Sequence, residues 1–169
     1  MTPTSTRILG LDPGLRIVGW GIIDILGSSL SHVAHGIATS KEGEDLPTRL
    51  RNLYTQLIEI IQLYAPHEAA VEETFVNNNP LSTLKLGMAR GVVMLAPAQA
   101  GLYVSEYAAN KVKKSVVGVG HADKGQVAMM VGRLLPKSQG VTKDAADALA
   151  VAICHAHYRS FEQKIRAAS

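Results

Sequence analysis

Hydrophobic positions along the chain first fall in short dense runs and then at helical spacing. Residues 7–11, 17–24 and 30–38 are rich in β-branched and apolar side chains and are separated by Pro13-Gly14 and by Gly27-Ser28-Ser29. That pattern predicts three strands in an antiparallel meander. From residue 47 the period changes: Leu50, Leu53, Tyr54, Leu57, Ile60, Ile61 and Tyr64 lie on one face of a helix over 47–64, with Pro47 suited to its first turn. Residues 69–74 read as a buried fourth strand, followed by the turn-forming run Asn77-Asn78-Asn79-Pro80. A second helix over 81–96 contains Gly87 and Gly91, each costing about 1 kcal/mol relative to alanine, so another helix is expected to approach closely there, from within the chain or from a second subunit. A fifth strand over 102–106 precedes a helical remainder that ends in a helix over 143–158, capped by Thr142. Strands first, then strands alternating with helices, predict a mixed α/β fold.

Length and composition narrow this picture. The 169 residues, 47% hydrophobic and 18% charged, suit one compact domain over 1–160 with a frayed tail over 161–169. A single cysteine, Cys154, asks for no oxidising compartment, and Asp12 interrupts the first apolar run where a signal peptide would continue. The apolar stretch 91–105 is short and broken by Pro97 and Gly101. A soluble cytoplasmic protein with no membrane association is therefore expected. A net charge of +3 says little, but residues 107–143 hold Lys111, Lys113, Lys114, Lys124, Arg133, Lys137 and Lys143 against one acid, Asp123. A positive field concentrated in this way predicts phosphate contact.

The chemistry lies in acids set among apolar residues. Asp12 ends Ile8-Leu9-Gly10-Leu11 and opens a Pro-Gly turn, a place where a carboxylate can be held rigidly. Glu72 and Glu73 interrupt Ala69-Ala70-Val71 and Thr74-Phe75-Val76, where a carboxylate is costly to bury without a partner or cation. Strand side chains alternate, so only one of the two can share a site with Asp12, and spacing does not say which. Asp144 and Asp147 share a face near the start of the last helix, whose continuation is apolar nearly all round. Converging carboxylates need a cation between them. Hard oxygen ligands suit Mg²⁺ or Mn²⁺, and no Cys/His set has zinc spacing. The predicted reaction class is metal-assisted phosphodiester hydrolysis, with two ions activating a water and stabilising the leaving oxygen.

Five blocks carry a resemblance in order and spacing: Leu11-Asp12-Pro13-Gly14, Val71-Glu72-Glu73-Thr74-Phe75, Leu84-Lys85-Leu86-Gly87-Met88-Ala89-Arg90-Gly91, Val116-Val117-Gly118-Val119-Gly120 and Asp144-Ala145-Ala146-Asp147-Ala148-Leu149-Ala150. Together they resemble the RuvC family of Holliday junction resolvases, crossover junction endodeoxyribonucleases that act in recombination and repair. The resemblance implies a ribonuclease H-like fold, a five-stranded mixed sheet flanked by helices, and a homodimer built largely on the second helix. It implies a Mg²⁺ site of Asp12, Glu72, Asp144 and Asp147, which decides between the two glutamates; relatives with histidine at the position of Asp144 make that ligand the most variable. Lys113 and Lys124 match basic residues near the scissile phosphate, and with Lys111 and Lys114 are expected to contact DNA. Phe75 matches an aromatic that stacks on an opened base at the junction centre. The implied substrate is four-way junction DNA, nicked symmetrically, and the implied partners are the branch-migration proteins RuvA and RuvB.

Overall fold

The computed structural model describes residues 4–73, 78–118 and 120–168. Elements follow in the order β1 (Thr6–Asp12), β2 (Ile17–Leu26), β3 (Ser29–Thr39), α1 (Leu46–Tyr64), β4 (Glu68–Glu72), α2 (Pro80–Gln99), β5 (Tyr103–Tyr107), α3 (Ala109–Val117), α4 (Lys124–Leu134), a short 3₁₀ turn and α5 (Lys143–Ala167). They form one sheet of order β3-β2-β1-β4-β5, antiparallel across β3-β2-β1 and parallel across β1-β4-β5. This is the five-stranded mixed sheet flanked by helices that the ribonuclease H-like fold requires.

Alternation along the strands builds two cores. Leu9, Leu11, Val18, Trp20, Ile22, Ala69 and Val71 face α1 and α2 and pack on Leu53, Leu57, Ile61, Val93 and Ala96. Ile8, Ile23, Ile25 and Ala70 face the opposite way, onto α3, α4 and α5. Residues that share the second face with Ile8 and Ala70 are Gly10, Asp12, Glu68 and Glu72, so sheet parity delivers two of the predicted acids to α5.

Helix α5 lies unusually deep against this face. A Cβ added to Gly10 would stand 2.1 Å from the Ala148 carbonyl oxygen, and one added to Gly19 would stand 2.0 Å from that of Asp144. Helix backbone thus rests directly on strand backbone, and Ala145, Ala148 and Ala152, all fully buried, leave room for it. Two boundaries differ from the sequence reading. α2 runs on to Gln99 with Pro97 inside it, and α5 continues through Ala167 where a helix ending at 158 and a frayed tail were expected. Past Ser160 the described side chains of α5 are exposed, with Phe161 at 60% and Ile165 at 49%, so the extension is held by hydrogen bonds, those of the helix backbone and those of Arg159 and Gln163 to Glu68, more than by apolar packing. No described helix is long and apolar enough to cross a membrane.

Candidate active site

The acids come from three elements. Asp12 closes β1, opposite Gly19 of β2. Parallel pairing of Leu11 with Val71 sets Glu72, the last residue of β4, beside it. Asp147 descends from the second turn of α5. All three line one cleft of about 170 Å³, together with Lys113 from α3 and Lys124 from α4. The parity of β4 answers the question that spacing left open: Glu72 points at Asp12, whereas exposed Glu73 uses its backbone N–H to donate to the Tyr107 carbonyl oxygen at 2.9 Å.

Electrostatics mark this cleft apart from the rest of the surface. Burial, then the nearby charges of Glu72 and Asp147, push the Asp12 carboxyl up to about 8. Glu72 is raised chiefly by burial, and so is Asp147, against the pull of Lys124. Asp12 and Glu72 share a hydrogen bond, and the Lys124 ammonium lies 3.8 Å from Asp147 Oδ2. Each acid is therefore stable with a proton or a counter-cation and strained without one.

The remaining predicted residues divide. Asp144 does not line the cleft, although its charge raises both Asp12 and Asp147. Lys124 is held at the first turn of α4 by a capping box, in which Asp123 Oδ1 accepts from the Gln126 N–H at 2.8 Å and Gln126 Oε1 accepts from the Asp123 N–H at 3.0 Å. Lys111 is turned away from the cleft, its ammonium 4.2 Å from the Tyr158 ring centroid and 5.1 Å from that of Tyr107. Lys114 is exposed and outside the cleft. Phe75 lies outside the described residues. Glu68, which the sequence reading passed over, is the second acid that β4 sends to this face; its partners, His155 and Arg159, sit far along α5 and no local spacing signals them.

Whether a metal fits is a question of donors. Among the described residues no group of three or more Asp, Glu, His or Cys side chains stands close enough together to hold an ion as it is, and the three acids share a cleft without closing on one point. The donor chemistry nonetheless suits a hard divalent ion: oxygen ligands only, desolvated, and raising one another's affinity for positive charge.

One expected outcome concerns pH. Folded Asp12 keeps its proton to about pH 8, whereas an unfolded aspartate loses it near pH 4. Between those values the folded state binds more protons than the unfolded one, so stability falls as pH rises. Calorimetry in chelator should show a lower Tm at pH 8.5 than at pH 5.5, with Mg²⁺ restoring more at the higher pH. In Asp12→Asn the slope should flatten; an equal slope in wild type and variant would remove Asp12 as its source.

A mixed sheet with acids gathered at the ends of its first and fourth strands, beneath a helix that adds another, defines a nuclease of the ribonuclease H-like class. The family profile of the crossover junction endodeoxyribonuclease RuvC matches residues 8–155. The chain is 59% identical to the enzyme of that name from Xanthobacter autotrophicus over 99% of both chains, and 59% identical to that of Rhodospirillum rubrum over 91% of both. It superposes on the RuvC of Thermus thermophilus in complex with a Holliday junction substrate with a TM-score of 0.85 at 30% identity, covering 93% of this chain and 96% of that one. The yeast mitochondrial Holliday junction resolvase Ydc2, at 16% identity and a TM-score of 0.63, shares the fold. The chain belongs to the RuvC family of crossover junction endodeoxyribonucleases, whose nucleases are metal-dependent.

Proposed function

We propose that this chain is a Holliday junction resolvase, a Mg²⁺-dependent endonuclease that makes paired symmetric nicks in four-way DNA. The observation that carries this reading is the convergence of Asp12, Glu72 and Asp147 in one cleft walled by Lys113 and Lys124, in a family one of whose solved members holds a Holliday junction substrate. Asp12, Glu72 and Asp147 would hold the metal, with Asp144 supporting from the helix start. When bound, Mg²⁺, two ions per site and replaceable by Mn²⁺, supplies an activated water and neutralises charge on the phosphate. The chain's own part is to exclude bulk water with Val112, Val127 and Ala150 at the cleft wall, and to draw the scissile phosphate in with Lys113 and Lys124. Lys111 and Lys114 contribute to the outer field, and Phe75 stacks on a base opened at the junction centre.

Helix α2 supports the homodimer. Gly87 and Gly91 have open space where a Cβ would stand, so the expected close helix is not among the described residues. Along the same face run Leu81, Leu84, Met88 and Leu95, each 41–59% exposed, which together with Gly91 fall at alternating spacings of three and four that a second helix can pack against. Gly91→Leu should raise the dimer dissociation constant at least tenfold by sedimentation equilibrium and leave monomer stability unchanged or improved, since leucine favours helix. Wild type sedimenting as a monomer at micromolar concentration would defeat this. RuvA and RuvB as partners, and the cytoplasm as location, follow from family analogy.

The deciding experiment incubates labelled four-way junction, linear duplex and RNA–DNA hybrid with the protein, in Mg²⁺ and in chelator. Paired nicks in like strands of the junction alone, lost in chelator, are expected. Equal cutting of hybrid would replace the resolvase reading with that of a general nuclease of the same fold.

A further inference from the structure

At the opposite end of α5 from the cleft lies a polar cluster that the proposed chemistry does not use. His155 is fully buried. Its Nε2 lies 2.8 Å from Glu68 Oε2, and its Nδ1 lies 2.9 Å from the Tyr107 hydroxyl. Arg159 grips the same carboxylate with both arms, Nη2 donating to Oε1 at 2.7 Å and Nε to Oε2 at 3.1 Å, while Nη2 also reaches Thr6 Oγ1 at 3.2 Å. Gln163 Nε2 donates to Oε1 at 3.1 Å. Burial alone would raise Glu68, but the bonds from His155 and Arg159 prevail and draw it down to about 2. An ionised Glu68 accepts, so Nε2 of His155 carries the proton and Nδ1 is free to accept from Tyr107.

The location of this cluster is informative. α5 runs antiparallel to β1 and β4: Asp144 lies by Gly19, Ala148 by Gly10 and Arg159 by Thr6. His155 lies eight residues beyond Asp147, about 12 Å of helix. Glu68 lies four residues before Glu72, about 13 Å of strand. The clamp and the site therefore stand at matched spacings along the same helix and the same strand. Between them Gly10 of β1 rests on Ala148 and Ala152, which lets the backbones approach, while Leu149 and Ile153 join the surrounding apolar core. Apolar packing carries no directionality, and the hydrogen bonds to the Glu68 carboxylate add it, because sliding of the helix would strand a charge.

We infer that Glu68, with His155 and Arg159, is a positioning group for the metal site, fixing the register of α5 on β4 and thereby the placement of Asp147 against Glu72. This rests on the nuclease reading of the cleft. Two variants test it. Glu68→Gln keeps the shape and removes the charge; Arg159→Met keeps the stem and removes the two-armed grip at a partly exposed position, with its side chain 23% exposed against 13% for Glu68, so it is expected to fold even where the first variant fails to. The readout is Mn²⁺ affinity by titration calorimetry in the absence of DNA, with junction binding in chelator measured alongside. Mn²⁺ binding should weaken about tenfold in Glu68→Gln, the scale on which partners behind metal ligands act, and severalfold in Arg159→Met. Junction binding should stay within twofold, and most of kcat should return at saturating metal. Variants that lower Tm yet bind Mn²⁺ within twofold of wild type would show a merely stabilising cluster and overturn the inference. Failure of the resolvase reading would be seen elsewhere, in wild type leaving junctions uncut, and would not alter these affinities.

Discussion

Asp12→Asn, Glu72→Gln and Asp147→Asn should each lower junction cleavage by about 10³-fold or more, with binding to the junction in chelator unchanged or tighter. Each residue is the sole acid that its element sends into the cleft, so no neighbour can replace it, and the proposed metal loses a charged ligand rather than a weak contact. Binding should survive because the proposed phosphate contacts come from the lysines, and the loss of a negative charge beside Lys113 and Lys124 should favour DNA. Asp144→Asn should behave differently and lose about tenfold, since Asp144 stands outside the cleft and acts through its charge on Asp12 and Asp147. Single-turnover cleavage over a range of Mg²⁺ concentrations separates these cases. Near-normal cleavage by any of the first three would remove that residue from the site. A loss at Asp144 equal to the others would make it a full ligand.

The second large effect is expected from one methyl group. Gly10→Ala would drive a Cβ into the Ala148 carbonyl oxygen, the Ala152 nitrogen and the Ala152 Cβ, all at 2.9 Å or less. These are helix backbone and a methyl at its root, with no flexible end to swing aside. Overpacking of a tight core costs about 1–3 kcal/mol and sometimes more, so a Tm lower by about 5–10 °C is expected. Gly19→Ala meets the Asp144 carbonyl oxygen, nearer the free end of the helix, where the chain can yield by lifting the first turn. Stability should then suffer less and cleavage more, by about 100-fold, because misplacement of reacting groups by about 1 Å is enough for such a loss. If Gly19→Ala cleaved normally, α5 would not be held at its start by this contact.

Much of the arrangement could be read in the chain. Period-two and period-3.6 hydrophobicity located the strands and the first two helices to within a few residues, since those elements each bury one clear face. Asp12 and the Asp144/Asp147 pair were visible because acids seldom interrupt or open apolar runs without reason. The glutamates show where sequence stops. Parity around Glu72 and Glu73 required one to be inside, but which one depends on the register of β4 against β1, a non-local pairing. Lys111 was drawn into the DNA set by charge alone; only the fold shows it over the rings of Tyr107 and Tyr158. Glycines in α2 predicted a close helix, and the fold leaves open space beside them; what fills it lies beyond one chain's sequence. The clamp on Glu68 went unread because its halves, β4 and the far end of α5, are distant in the chain.

That distance bears on when the enzyme becomes dangerous. The last helix completes the cleft that the first strand begins, and both join through the central strand β1. Contacts between such remote segments are the slowest to close and the last to be rewarded. A nascent or truncated chain ending before α5 owns Asp12 and Glu72 but lacks Asp147, the lid of alanines and the glutamate's partners. With Asp147 in the proposed site, cutting would wait on completion of synthesis, and proteolysis that frees α5 would remove at once the third acid and the apolar core that Leu149 and Ile153 build on the sheet.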